Sequence, residues 1–162
     1  FLVFRSGFTD SRFRLFFPAG EGPVPEQTPG KEENRADGSE RILFVDDEAA
    51  IVQVGQQMLG SIGYNVTPFT DPQAAVAAFI RDPTAFDLVV TDMTMPGMDG
   101  FTMVEKIRQK AGDIPVIVCT GDDALFDSDR GRRIGIDRYV LKPVSMTRLG
   151  KIIQEVLDRR RG

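Results

Sequence analysis

Five residues that could do chemistry stand directly after short apolar runs of this sequence. They are two adjacent acids, a third acid, a hydroxyl and an ammonium: Asp46, Asp47, Asp92, Thr120 and Lys142. Three carboxylates held close together repel one another, so at neutral pH they need a cation or must partly protonate. A hard divalent ion that takes oxygen ligands and keeps part of its water, such as Mg²⁺, meets that need.

The same residues would form a receptor for a doubly negative phosphoryl group. Asp92 can act as the nucleophile and form an acyl phosphate. Mg²⁺ and Lys142 would offset charge on the phosphoryl oxygens during in-line transfer, while Thr120 donates a hydrogen bond. Alone, Asp46 and Asp47 could simply cap a helix. The presence of Asp92, Thr120 and Lys142 at matching strand ends favours a phosphoryl-binding site instead.

The apolar runs before these residues have the length and composition of buried strands. They cover residues 42–45, 88–91, 116–119 and 139–141, and a fifth run at 64–69 lacks reactive residues, as suits an edge strand. Patterns typical of helices separate the runs, so the sequence predicts five βα units in an α/β three-layer sandwich. Parallel strands end at one edge of their sheet, and the reactive groups should therefore meet in one crevice.

The helices carry start signals and apolar stripes. Asp71 before Pro72 predicts an N-cap and a first helical residue, and Ser145 predicts the cap of the last helix. The first helix has the predicted stripe Ile51, Val54, Met58, Leu59 and Ile62, and the last helix has Leu149, Ile152, Ile153, Val156 and Leu157. Residues 122–134 have few apolar anchors, which predicts a short or mobile fourth helix.

Composition argues against several classes of protein. The net charge is −4 and the main basic run is 159–161, which argues against nucleic-acid binding. The single cysteine, Cys119, excludes an internal disulfide and fits a reducing, cytoplasmic compartment. No apolar run approaches the ~18 residues of a membrane span. Histidine is absent, so this chain holds no phosphohistidine donor and no histidine base.

The first forty residues differ in character from the rest. Residues 1–17 hold six of the 12 phenylalanines, and residues 11–17 begin with alternating polar and apolar positions. With residues 1–5 as a first strand and 6–10 as a turn, this predicts a terminal β-hairpin. Residues 18–40 are rich in Pro, Gly and Glu without a hydrophobic period, which predicts an extended or disordered linker. Because the chain starts at Phe1 rather than methionine, we expect it to be part of a longer protein.

Residues 41–159 resemble the receiver domain of response regulators in two-component signalling. The resemblance rests on residues at matching spacing: Asp46, Asp47, Asp92, Pro96, Gly100, Thr120, Tyr139, Lys142 and Pro143. It implies a flavodoxin-like fold with five parallel strands in the order 2-1-3-4-5. It also implies a cis peptide bond before Pro143, and a phosphoryl-accepting switch rather than an enzyme.

The resemblance assigns a role to each residue of the predicted site. Asp92 would be the phosphoacceptor. Mg²⁺ would be bound by Asp47, Asp92 and the carbonyl oxygen of Thr94, with Asp46 helping through water. Lys142 would contact the phosphoryl group.

A switch and its partners follow from the same resemblance. Thr120 and Tyr139 would form a switch pair, in which the hydroxyl moves toward the phosphate and the aromatic ring follows inward. The output face would comprise the fourth helix, the last strand and the last helix. Expected partners are a histidine kinase or a histidine-phosphotransfer protein. A weak homodimer through the output face or the Phe-rich segment 1–17 is a further expectation.

Residues 11–18 carry a second resemblance, to the closing strand of the ATP-binding domain of histidine kinases. It rests on Phe13, Leu15, Phe17 and Pro18. It implies that the parent protein is a hybrid sensor histidine kinase of bacterial or archaeal type with a C-terminal receiver. The nucleotide-binding boxes of such kinases are absent from this sequence, so this piece would have no kinase activity.

Two other classes of function stay open at the level of sequence. A hydrolase of the haloacid-dehalogenase type also uses an aspartyl nucleophile with Mg²⁺. It requires a second acid two residues after the nucleophile, and Thr94 occupies that position here, which argues against this class. A receiver that docks its partner without phosphorylation usually lacks one of the acids or the lysine, and all of them are present here.

Overall fold

The computed structural model describes residues 40–110, 112–123 and 129–161. The predicted hairpin over 1–17 and the predicted linker up to residue 39 lie outside the described residues. Glu40 is the exception, because it is buried and belongs to the folded domain. Its carbonyl oxygen accepts a hydrogen bond from Asn65 N, and its carboxylate pairs with Arg161. The last residue of the predicted linker thus contacts the folded domain.

Strands and helices alternate along the described chain. In order they are β1 Arg41–Val45, α1 Ala49–Ser61, β2 Asn65–Phe69, α2 Pro72–Arg81, a 3₁₀ turn Pro83–Ala85, β3 Leu88–Asp92, α3 Gly100–Arg108, β4 Val116–Thr120, α4 Asp129–Ile134, β5 Arg138–Leu141 and α5 Met146–Arg161. The strands pair in parallel in the order β2-β1-β3-β4-β5. This confirms the predicted α/β three-layer sandwich with strand order 2-1-3-4-5.

The core lies in two layers, one on each face of the sheet. Because successive strand side chains point to opposite faces, Val89 packs with α2 and α3, whereas its neighbours Leu88 and Val90 pack with α1 and α5. Both faces are covered by helices, which explains why the strands are continuous apolar runs without alternating polar positions.

The predicted helix caps are confirmed. The Asp71 carboxylate accepts a hydrogen bond from Gln73 N at 2.8 Å, and Pro72 begins α2. The Ser145 hydroxyl accepts one from Arg148 N at 3.3 Å, just before α5. The stripe predicted for α5 is also confirmed, since its members are buried or half-buried.

The stripe predicted for α1 is partly wrong. Val54 and Met58 are 47% and 44% exposed, and the buried face is instead formed by Val52, Gly55 and Leu59. The cause is Gly55, where a Cβ atom would lie 2.9 Å from the Phe44 ring. The helix therefore packs closest through a glycine, which a search for apolar side chains does not recognise as a core position.

A fourth helix is present as α4 over the described residues Asp129–Ile134, and the part of the prediction that falls on residues 124–128 lies outside the described residues. Gly131 is its buried residue. No helix within the described ranges has both the length and the apolar character needed to cross a bilayer.

Asp87 fixes the start of β1. Its Oδ2 accepts hydrogen bonds from Arg41 N at 2.7 Å and Nε at 3.0 Å, and its Oδ1 accepts one from the guanidinium at 2.8 Å. The Arg41 side chain holds the pKa of Asp87 below its usual value. Since the folded pKa is depressed, this contribution to stability is present above the unfolded pKa of about 3.9 and is lost as the pH falls through the folded pKa.

We expect Asp87→Asn to lower the free energy of unfolding by about 1–2 kcal/mol at pH 7, because a charged acceptor is lost. The deficit should shrink below pH 4, where the Asp87 carboxyl of the unfolded chain protonates, and it should disappear as the pH falls through the lower folded pKa. Urea unfolding at pH 7 and pH 3 measures both values, with Asp158→Asn on the exposed face of α5 as the charge-matched control. An equal deficit at both pH values would contradict the electrostatic origin of the effect.

Candidate functional site

Three strand ends bring Asp46, Asp92 and Lys142 into direct contact. Asp46 follows β1, Asp92 is the last residue of β3, and Lys142 follows β5. The Lys142 Nζ atom lies 2.9 Å from Asp46 Oδ2 and 2.7 Å from Asp92 Oδ1. The crevice expected at the carboxyl edge of the sheet is therefore present, and a single ammonium bridges two of its acids.

Both bridged acids are buried, at 3% exposure for Asp46 and 7% for Asp92. Their second oxygens accept backbone hydrogen bonds, Asp46 Oδ1 from Glu48 N and Asp92 Oδ2 from Thr94 N, each at 3.0 Å. Buried charges are tolerated only when they are paired and hydrogen-bonded. The two carboxylates are thus held in fixed orientations by the chain that follows each strand.

The charge of Lys142 is stabilised at this position. Burial by itself would lower the pKa of the ammonium, but its hydrogen bonds with Asp92 and Asp46 outweigh burial and raise that pKa. Lys142 is therefore cationic throughout the physiological range. The Asp46 and Asp92 carboxylates together contact one ammonium, which leaves one negative charge for a further cation to balance.

Asp47 and Thr94 are exposed, unlike the two bridged acids. Across the described ranges, no group of three acid, cysteine or histidine side chains is gathered closely enough to hold a metal. The side chains of Asp46, Asp47 and Asp92 are thus not gathered into one group of three ligands. The donors nevertheless suit Mg²⁺, which prefers oxygen ligands, keeps several waters and needs only one or two carboxylates.

Thr120 ends β4 and is buried. Its Oγ1 accepts a hydrogen bond from Asp122 N at 3.0 Å and donates one to Asp122 O at 3.3 Å. The backbone carbonyl of Thr120 accepts a hydrogen bond from Lys142 N at 2.7 Å. The hydroxyl is thus at the crevice but engaged with the loop that follows β4.

Tyr139 lies on β5 beside β4, in register with Val118. It packs into the core layer that contains Val118, on the face of the sheet that α3 covers, and meets the Phe101 ring edge-on with centroids 6.5 Å apart. Thr120 is two residues beyond Val118 and so faces the same side. The two residues predicted as a switch pair are therefore neighbours on one face of the sheet.

The turn between β3 and α3 contains two glycines with distinct structural roles. Gly97 has a φ of +77°, which favours glycine. Gly100 N donates a hydrogen bond to Met93 O at 2.8 Å, and a Cβ atom at Gly100 would lie 2.6 Å from Asp92 O. The first turn of α3 is thus pressed against the backbone of Asp92.

Comparison with known families decides the classification. The family model described as response regulator receiver domain matches residues 42–154. The chain belongs to the receiver-domain family of response regulators. Receiver domains are phosphoacceptor switches of two-component systems, bind Mg²⁺ at the phosphorylation site, and interact with histidine kinases or phosphotransfer proteins. The peptide before Pro143 is cis, as expected for this family.

Curated relatives are longer than this receiver chain. A probable transcriptional regulator ycf27 from Porphyridium aerugineum is 37% identical over 120 residues, which cover 74% of this chain and 49% of the relative. The transcriptional regulatory protein RprY from Bacteroides fragilis is 34% identical over 122 residues, covering 75% and 51%. The chain therefore spans about half the length of these relatives.

Solved receiver structures match almost over their whole length. A CheY-like receiver from Methanospirillum hungatei is 31% identical with a TM-score of 0.69, and the match covers 75% of this chain and 96% of that one. TrrA from Thermotoga maritima, in complex with Mg²⁺-BeF, is 27% identical with a TM-score of 0.64 and coverage of 72% and 98%. The receiver of the hybrid histidine kinase CckA is 30% identical with a TM-score of 0.61 and the same coverage.

Proposed function

We propose that this receiver accepts a phosphoryl group on Asp92 in an Mg²⁺-dependent reaction, and that it is a switch with at most slow self-dephosphorylation. The observation that carries the proposal is the pairing of buried Asp92 with Lys142 Nζ at 2.7 Å, beside Asp46. A carboxylate held next to an ammonium can attack phosphorus while the ammonium moves onto the phosphoryl oxygens.

The transfer balances on the groups of this site. A carboxylate oxygen of Asp92 forms the new bond to phosphorus, and the bond from phosphorus to the donor atom breaks with its electron pair leaving on the donor. Lys142 stays protonated and follows the charge that develops on the phosphoryl oxygens. Mg²⁺, held by Asp46, Asp47, Asp92 and the Thr94 carbonyl, would supply the remaining positive charge.

Signalling would use the two residues on the adjacent strands. For Thr120 to donate to the phosphoryl group, its hydroxyl has to leave Asp122 O, where it now donates at 3.3 Å. Tyr139 would follow inward on the same face of the sheet. The change would reach the face made by α4, β5 and α5, which is also our candidate surface for a weak homodimer.

We propose a cytoplasmic histidine kinase or histidine-phosphotransfer protein as the phosphoryl donor. A hybrid histidine kinase as the parent is supported by the likeness to the CckA receiver, and residues 1–17 would then belong to the upstream ATP-binding domain. Because two relatives are named transcriptional regulators, DNA stays a candidate partner of the protein that contains this chain.

The test is the intact mass of the protein after incubation with acetyl phosphate and Mg²⁺, with and without a chelator. One added phosphoryl group that requires Mg²⁺ is the expected result. A folded, Mg²⁺-binding protein with no adduct would favour the docking module that works without phosphorylation. Steady release of phosphate at enzyme-like rates would favour the phosphohydrolase.

Lys142→Ala should uncouple metal binding from activation. We expect Mg²⁺ binding to be retained and phosphorylation-dependent activation to weaken, because the phosphoryl oxygens lose their cationic contact. Without Mg²⁺ the variant should lose about 3 kcal/mol of stability, since Asp46 and Asp92 stay buried without their ammonium. Mg²⁺ should therefore raise the melting temperature of this variant more than that of the wild type.

Thermal unfolding with and without Mg²⁺ measures this difference. Lys151→Ala, at an exposed position of α5, is the control for loss of a lysine. If Mg²⁺ stabilises Lys142→Ala no more than the wild type, the lysine is not the counter-charge of the two acids.

A further inference from the structure

Arg130 of α4 holds the first turns of α3 through five contacts. Its guanidinium forms a fork on Glu105, with Nε and one terminal nitrogen each 3.0 Å from a carboxylate oxygen. The same terminal nitrogen donates to Thr102 Oγ1 at 3.0 Å, and the other lies 3.4 Å from Asp99 Oδ2. The guanidinium carbon lies 5.4 Å from the centroid of the Phe101 ring. We call this set of contacts the Arg130 clamp.

α4 is a helix that needs such side-chain anchors. Among the described residues of α4, the buried one is Gly131, which has no side chain to pack, and a helix depends largely on side-chain packing for its stability. The far end of the helix is held separately, since Arg108 Nε donates to Ile134 O at 3.2 Å and its terminal nitrogen donates to Gly135 O at 2.6 Å. Opening the Arg130 clamp would thus free the start of α4 while its end stays attached to α3.

The residues that the clamp holds are those that lie against the proposed phosphorylation site. Asp99 caps α3 through Thr102 N at 2.6 Å, and the next residue, Gly100, packs on the carbonyl oxygen of Asp92. The Phe101 ring lies beside the Arg130 guanidinium and meets the Tyr139 ring edge-on. A movement of Tyr139 therefore reaches Arg130 through Phe101, and a movement of Asp92 reaches it through Gly100 and Asp99.

We infer that Arg130 is a positioning residue. Its clamp favours the arrangement in which Lys142 pairs directly with the Asp92 carboxylate. Opening of the clamp is therefore coupled to phosphoryl binding. This inference rests on the proposed function. Glu105 is the main partner of Arg130, because its carboxylate accepts from two nitrogens of the guanidinium. Both side chains are 38% exposed, so solvent screens their pairing and the clamp can open at modest cost.

The expected result follows from linkage between two conformations. If the clamp stabilises the conformation that binds a phosphoryl group less well, its removal must raise the affinity for a phosphoryl analogue. We expect Arg130→Gln to bind beryllofluoride in the presence of Mg²⁺ about fivefold more tightly, at the lower end of usual coupling strengths because the pair is exposed. Glu105→Gln, which keeps the side-chain shape, should act in the same direction.

Titration with beryllofluoride and Mg²⁺, together with hydrogen exchange of residues 129–134, tests the inference. Arg133→Gln is the control, since it removes the same charge from the same helix but not from the fork. Faster exchange at the start of α4 with tighter analogue binding in Arg130→Gln, and neither change in Arg133→Gln, supports the clamp. A non-additive effect in the variant that combines Arg130→Gln with Glu105→Gln supports it further.

Two results would overturn the inference, and a third would overturn the function beneath it. Faster exchange with unchanged or weaker analogue binding would make Arg130 a structural residue only. Unchanged exchange in Arg130→Gln would mean that the clamp does not hold α4. Failure of the wild-type protein to bind beryllofluoride at all would refute the proposed function instead, and it is recognised without any variant.

Discussion

Asp92→Asn is expected to abolish the mass increase that acetyl phosphate and Mg²⁺ produce, while the fold is retained. An amide oxygen is a much poorer nucleophile than a carboxylate, so the loss should be complete. The Asn side chain can still accept the hydrogen bond that Thr94 N now donates to Asp92 Oδ2. Lys142 keeps its pair with Asp46, so the stability should change by less than about 1 kcal/mol.

Asp46→Asn is the matched control for this substitution. Asp46 is equally buried and also contacts Lys142, at 2.9 Å, but in the proposed mechanism it only assists the metal. It should slow phosphorylation without abolishing it. An adduct that persists in Asp92→Asn and disappears in Asp46→Asn would move the phosphoacceptor to the other acid, and peptide mapping of the adduct would identify it directly.

Strand positions and topology could be predicted from the sequence because each strand is a short apolar run that ends at a chemically distinctive residue. Val45, Asp92, Thr120 and Leu141 end the four strands that border the crevice, each within one residue of the prediction. Parallel pairing then dictates that the groups after these strands converge. The convergence of Asp46, Asp92 and Lys142 follows from strand pattern and topology, without any need to know how the side chains pack.

Other features depend on distances that a sequence pattern does not contain. The buried face of α1 is set by contact of Gly55 with the Phe44 ring, and a glycine contributes nothing to an apolar stripe. Arg130 looked like one of several charges in a weakly patterned segment, because its partners on α3 are far away in sequence. The direct bridge from Lys142 to two acids, in place of a ring of three carboxylates, depends on side-chain conformations.

The close contact of α3 with Asp92 gives the second large effect. A Cβ atom at Gly100 would lie 2.6 Å from Asp92 O and 3.1 Å from Met93 Cα. Both atoms belong to the backbone, so a rotamer change cannot relieve the overlap, and α3 has to move away from β3. We expect Gly100→Ala to lower the free energy of unfolding by about 2–3 kcal/mol, as overpacking of a tight contact does.

The same displacement should slow phosphorylation. The hydrogen bond from Gly100 N to Met93 O, now 2.8 Å, would stretch, and the turn whose Thr94 N orients the Asp92 carboxylate would shift with it. The measurements are urea unfolding and the rate of adduct formation with acetyl phosphate.

Gly60→Ala on the exposed side of α1 is the control, since nothing lies within 4 Å of a Cβ atom there. It should stabilise the protein by about 0.5–1 kcal/mol through helix propensity and leave the phosphorylation rate unchanged. If the two alanine variants shift stability in the same direction, the contact between α3 and the Asp92 backbone is not the constraint that places the carboxylate.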